Sequence, residues 1–229
     1  MKRLRPIFAV LALCCASAVG AAEAQPSGST CPAEPNWSDN EVMELTTARR
    51  GGRRVLLAEG WVDQQFPARL QTMLDRHTDI EEIWLRSPGG DAMAGNEAGL
   101  MLRTMYSGIT TRIPAGWTCA GACNFVFLGG SVRHVDPDGV FMVRMFTFSG
   151  DEALREGVTQ GGGSAARASG EVEGSARQQA TADVDFMIRT GISTDLLDIM
   201  YQSGNLEEGA SRCLTREELR DFNVAEIRD

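Results

Sequence analysis

The run Ile83-Trp84-Leu85-Arg86-Ser87-Pro88-Gly89-Gly90 constrains this chain most. A short apolar core that stops at Ser-Pro-Gly-Gly reads as a buried strand feeding a tight turn. Proline removes a ladder donor, and glycine admits backbone angles closed to other residues. Helical spacing flanks this strand on both sides. Phe66, Leu70, Met73 and Leu74 recur at helical intervals before it, and Ala94, Ala98, Leu102 and Met105 after it. Further strands are expected at 53–62, 111–114, 133–135 and 140–143. A buried helix is expected at 120–128, closed by Gly129-Gly130. The alternation predicts an α/β fold with a mostly parallel sheet. Such folds gather ligands at the carboxyl ends of strands, where Ser87–Gly90 lies.

The C-terminal third has a different texture. Residues 149–170 are rich in Gly and Ser and read as a flexible insertion. From Val172 a helix is expected, with Ala176, Ala180, Val184, Met187 and Ile188 on one face and Gly191 ending it. Ser193 can cap a second helix carrying Leu196, Leu197 and Met200. Thr215 with Glu218 forms a capping box for the last. Trp61, Trp84 and Trp117 are expected in or near the core, with peptide stacking as a second role for Trp117.

Composition removes several function classes. The 229 residues carry a net charge of −9, so no nucleic acid partner is expected. Lys2, Arg3 and Arg5 precede an apolar run that ends at Ala22-Glu23-Ala24, the pattern of a signal peptide over 1–24 cleaved before Gln25. The mature chain is then periplasmic or secreted, without stable membrane insertion. Residues 25–40 read as an extended arm and 41–229 as the domain. Lys2 is the only lysine, which excludes Ser-Lys dyads, Schiff bases and a P-loop. With only His77 and His134, a zinc site built on several histidines is excluded too. No cofactor and no metal are expected.

Of the six cysteines, Cys14 and Cys15 leave with the leader. Cys31, Cys119, Cys123 and Cys213 remain, and export favours disulfides. Four cysteines allow three pairings. Local spacing favours Cys119–Cys123 with Cys31–Cys213, and one zinc site made from all four is the alternative.

Four stretches taken together resemble a known family. They are IWLRSPGG at 83–90, the helix at 93–106, CAGACNFVFLGG at 119–130 and RHVDPDGVFMV at 133–143. Their order is similar to that of the proteolytic subunit of the Clp protease and the wider crotonase-like clan, most of all to exported ClpP-like proteins of bacteria. RTGIS at 189–193 and CLTREELRDFNV at 213–224 resemble that family's closing segments. The resemblance covers about residues 41–229 and implies repeated β-β-α units. It implies an oxyanion turn at Gly89 or Gly90, with Ala122 and Arg144 completing the oxyanion or ligand-binding set. It places the nucleophile at Gly121, the base at Arg144 and the orienting acid near Met200 or Tyr201.

Read this way, the triad is degenerate. Glycine has no nucleophilic atom, and arginine stays protonated, so it cannot serve as a general base. The resemblance then implies a non-catalytic protein that binds a peptide or protein segment in the former cleft, or a scaffold, with Arg144 either meeting a ligand carboxylate or pairing with a nearby acid. The alternative is a serine-type hydrolase of the same clan using other residues. Family members often form rings or trimers, so a homo-oligomer is implied as well. Other candidates have ordinary readings. Ser87 supports its turn, Asp91 caps a helix, Glu97 faces solvent and His77 complements a helix dipole. His134 would serve only if its strand turned it inward.

Overall fold

Val55, Leu56 and Ala58 in one run, and Ile80, Ile83 and Leu85 in the next, are buried, so both segments lie inside a sheet covered by helices. The computed structural model describes residues 31–144, 163–202 and 211–226, with 163–172 described by backbone alone. The leader at 1–24, the first part of the arm and 149–162 of the insertion lie outside the described residues. In chain order the first elements are β1 (Glu44–Arg50), β2 (Arg53–Glu59), α1 (Phe66–Arg76), β3 (Ile80–Arg86), α2 (Ala92–Met105) and β4 (Thr110–Ile113). They are followed by β5 (Thr118–Ala120), α3 (Ala122–Leu128), β6 (Val132–Val135) and β7 (Val140–Val143). The last are α4 (Gly163–Thr190), α5 (Asp195–Gln202), β8 (Arg212–Cys213) and α6 (Arg216–Asp221).

The main sheet has the order β1-β2-β3-β4-β6. Only β1 runs antiparallel to its neighbour. A smaller sheet has the order β5-β7-β8, with β5 parallel to β7. This is the mixed α/β arrangement, mostly parallel, that the strand–helix alternation predicts. Ser87 joins the sheets, since its N–H donates to the Thr118 carbonyl at 2.9 Å and its carbonyl accepts from Ala120 at 3.0 Å. The chain leaving β3 is therefore delivered onto the end of β5.

Small residues let α2 lie close against α3. A carbon added at Gly99 would stand 2.2 Å from the Phe125 carbonyl oxygen. Phe125 in turn meets Phe186 of α4 edge-on at 5.1 Å, which ties α4 to the same core. Two disulfides, Cys31–Cys213 and Cys119–Cys123, exclude a zinc site shared by all four cysteines.

Several sequence expectations are corrected. Ala120 belongs to β5, so the helix of 120–128 begins at Ala122. The helix expected from Val172 begins at Gly163, within the expected insertion. Its buried face is Asp183, Phe186, Met187 and Thr190, while Val184 and Ile188 are exposed. The apolar positions misled because Asp183 is buried with neutral hydrogen-bond partners. Trp61 is 47% exposed, because it follows Gly60 at the sheet margin rather than entering the core. Trp84 and Trp117 are partly buried and meet edge-on at 6.3 Å.

Candidate functional site

The segment Cys119-Ala120-Gly121-Ala122-Cys123 turns from β5 into α3. Gly121 sits at the bend with φ 53° and ψ −123°, a conformation that side chains rarely adopt. The Asn124 N–H donates to the Gly121 carbonyl at 2.9 Å, closing the first turn of the helix. The Cys119–Cys123 bond staples the two sides of the bend.

The Ser87–Gly90 turn packs directly on this elbow. A carbon added at Gly89 would meet the Ala120 carbonyl oxygen at 3.2 Å, the Gly121 Cα at 3.4 Å and the Ala122 nitrogen at 3.5 Å. The structure thus brings Gly89, Gly121 and Ala122 together. The Gly89 N–H donates to Ser87 Oγ at 3.1 Å, so that donor serves its own turn. Val62 bridges to the turn through the Gly89 carbonyl and the Asp91 N–H, both at 2.7 Å. That bridge leaves the Gly90 N–H directed to the other side, and Gly90 is the exposed residue of the turn.

Arg144 follows β7. Ala120 pairs with Met142, so Arg144 lies two residues beyond that pair, on the side where α3 begins. It is partly buried, and its guanidinium lies 5.8 Å from the centroid of the Trp37 ring. A cation over an indole face is a favourable pair, and among the described residues Arg144 has no carboxylate partner. Asn124, in the same first turn of α3, donates from Nδ2 to the Met142 carbonyl at 2.8 Å. Its Oδ1 is buried without a hydrogen-bond partner among the described residues. Neither Trp37 nor Asn124 is singled out by the sequence reading. A lone amide inside the apolar run CNFVFL is the signal that marks Asn124.

The other candidates lie apart from the elbow or are occupied. His77 ends α1 with Nδ1 at 3.3 Å from Arg54 Nη1. His134 stands in β6 opposite Arg112 of β4. Ser87 Oγ accepts from its own turn and also donates to the Gly89 carbonyl at 3.4 Å. Asp91 caps α2 by accepting from the Ala94 N–H at 2.9 Å, and Glu97 is exposed. Met200 is buried, whereas the Tyr201 hydroxyl donates to Asp183 at 3.1 Å. Asp183 also accepts from Gln179 and Asn96, at 2.6 and 3.3 Å. Burial pushes its carboxyl up, and those three neutral donors pull back only in part. Among the described residues, no group of three or more His, Cys, Asp or Glu is arranged to hold a metal ion.

The elbow therefore sets the positive-φ bend at Gly121 against the Gly89 turn, with Arg144 just beyond the pairing of Ala120 with Met142. Such a site can hold a negative group through backbone N–H donors and a fixed cation.

No family model and no curated protein matches this sequence. Among solved structures, 210 chains match. One is a ClpP1 mutant from Listeria monocytogenes, similar at 15% identity over 75% of this chain and 88% of that one, with a TM-score of 0.49.

Proposed function

We propose that this chain is an exported ClpP-like domain that binds a peptide or protein segment without cutting it. The observation that carries the reading is Gly121 itself, held at φ 53° against the Gly89 turn, a residue with no nucleophilic atom to offer. Serine catalysis needs both the attacking oxygen and the base. Losing either alone removes nearly all of what the triad contributes. The oxyanion turn depends on backbone groups and outlives such losses. Arg144 supplies a fixed positive charge for a ligand carboxylate. Export is supported by the basic start and apolar run of residues 1–24, and by two disulfides of the kind that persist in oxidising compartments.

A fluorophosphonate probe tests the reading. The wild-type protein is expected to stay unlabelled, and Gly121→Ser combined with Arg144→His to gain labelling. Heat-sensitive labelling of the wild type would make the chain a serine hydrolase using other residues, and would overturn the proposal. Titration with peptides bearing a free carboxylate is expected to give weaker binding to Arg144→Ala than to wild type. Equal affinities would remove Arg144 from the binding site. Amino-terminal sequencing of the exported protein is expected to begin at Gln25.

A further inference from the structure

The β1–β2 hairpin sets like charges against each other at both ends. Glu44 stands opposite Glu59, Arg49 opposite Arg54 and Arg50 opposite Arg53. Directly opposed like charges destabilise a strand pair. The β2 members find relief elsewhere: Glu59 with Arg86 at 3.3 Å, Arg53 with Glu82 at 2.6 Å and Arg54 with Asp79 at 3.1 Å. The β1 members do not. Among the described residues, Glu44, Arg49 and Arg50 have no ion-pair partner. The two arginines donate only to carbonyls, those of Gly52 and Arg49.

β1 is also the edge of the main sheet. Its outer backbone groups face away from β2, and exposed edges of this kind invite another strand. Charge is the usual guard against such pairing. A guard of one sign would repel any copy of itself, but here the acid sits at one end of the strand and the bases at the other. A groove of about 590 Å³ runs along the same edge, lined by Val42, Met43, Leu45, Ala68, Arg69 and Met73 among others. Val42 is 48% exposed.

We propose that β1 is the interface for a second copy of this chain, paired antiparallel about a two-fold axis at Thr47. That register sets Glu44 of each copy opposite Arg50 of the other, Leu45 opposite Arg49, and Thr46 opposite Ala48. Glu44 and Arg50 are then paired in two symmetric ion pairs, and the stem of Arg49 lies across Leu45 at the groove. A parallel copy would align acid with acid and base with base, so the strand selects its own direction. The interface is isologous and makes one continuous sheet from two. It is independent of the Gly121 elbow, and its failure would leave the reading of that site standing.

Sedimentation equilibrium on the mature chain tests it through a charge swap. Wild type is expected to dimerise, more weakly at high salt. Glu44→Arg and Arg50→Glu are each expected to weaken the dimer roughly tenfold or more, because two symmetric pairs become repulsive. The double variant Glu44→Arg/Arg50→Glu is expected to restore it. Each single change also relieves a like-charge pair inside the hairpin, so at concentrations where wild type is monomeric neither variant should melt below it. A monomeric wild type overturns the proposal. So does an oligomer of any size that both single variants leave unchanged, or a double variant that fails to recover.

Discussion

Gly121 and Gly89 face each other across the elbow: a carbon added at Gly121 would stand 3.5 Å from the Gly89 Cα, an ordinary contact. The position has room for a side chain, and what it withholds is the backbone angle. Gly121→Ser is therefore expected to fold, at a cost of about 1 kcal/mol for a residue held at positive φ. Gly99→Ala is expected to cost about 3 kcal/mol, since its added carbon meets a carbonyl oxygen at 2.2 Å and α2 must move off α3. Urea unfolding of both variants checks the order. A larger loss at Gly121 than at Gly99 would mean that strain, rather than space, governs the elbow.

The two disulfides stabilise different things. Cys31–Cys213 joins residues 182 apart, so it restrains a large loop in the unfolded chain, whereas Cys119–Cys123 spans a separation of only 4. Chain-entropy arguments give about 5 kcal/mol for the first and about 2 kcal/mol for the second. Replacing Cys31 and Cys213 by serine is expected to lower Tm more than replacing Cys119 and Cys123. The second replacement should instead speed amide exchange in the first turn of α3. Equal Tm losses would contradict this division.

Two buried or half-buried carboxylates act on stability in opposite directions. Arg69 beside Asp63 holds that carboxyl at about 2, below its ordinary 3.8. The ionised form is favoured in the folded state, so its stabilisation is present above about pH 4 and is lost as pH falls towards 2. Asp63→Asn is expected to cost about 1 kcal/mol at pH 7, allowing for solvent around a pair exposed by 23% and 38%. The difference from wild type should vanish near pH 2.

Asp183 runs the other way. Its raised carboxyl favours the protonated form in the folded state, so wild type should gain stability as pH falls from neutrality towards the ordinary carboxylate value. Asp183→Asn keeps an acceptor for Asn96 and Gln179, and the Tyr201 hydroxyl can turn to accept from the new amide. The variant is expected to match or exceed wild type at pH 7 and to lose that pH dependence. Urea midpoints at pH 7 and pH 5 decide it. A variant much weaker than wild type at pH 7 would show that the ionised carboxylate stabilises α4 and α5.

The parallel core was legible because its strands are buried on both faces and end in strong turn residues, as Leu85 does at Pro88-Gly89. β1 was not, since Glu-Leu-Thr-Thr-Ala-Arg-Arg has no apolar alternation and becomes a strand only by pairing with β2. β5 is three residues long and looks like the start of the helix it feeds. On α4 the spacing of apolar residues found Met187 but put the exposed Val184 and Ile188 on the buried face, because hydrogen bonds from Asn96, Gln179 and Tyr201 make an aspartate acceptable inside. At the elbow, sequence could mark Gly121 and its two cysteines. It could not show that the Gly89 N–H is spent on Ser87, or that Arg144 rests on Trp37, since both depend on segments distant in the chain.

Arg133 carries the closure of the fold and gives the last test. Its buried guanidinium donates to the carbonyls of Val224 and Asn223, each at 2.8 Å, and to that of Gly130 at 3.2 Å, while its own carbonyl accepts from the Glu226 N–H. Burial pushes its ionisation down, yet an arginine remains charged, so three carbonyl oxygens hold a buried cation, with the nearby Glu226 charge helping to offset its burial. Arg133→Met removes that charge and leaves the three carbonyls short of a donor. The expected loss is about 3 kcal/mol, with the residues after α6 detaching first. Arg133→Lys keeps the charge without the planar fork that spans Val224, Asn223 and Gly130 together, and should fall between the two. Hydrogen exchange at Val224 and Ala225, alongside urea unfolding, separates local from global loss. If Arg133→Lys matched wild type in both, charge alone would suffice and the fan of three bonds would not be what holds the C-terminal segment.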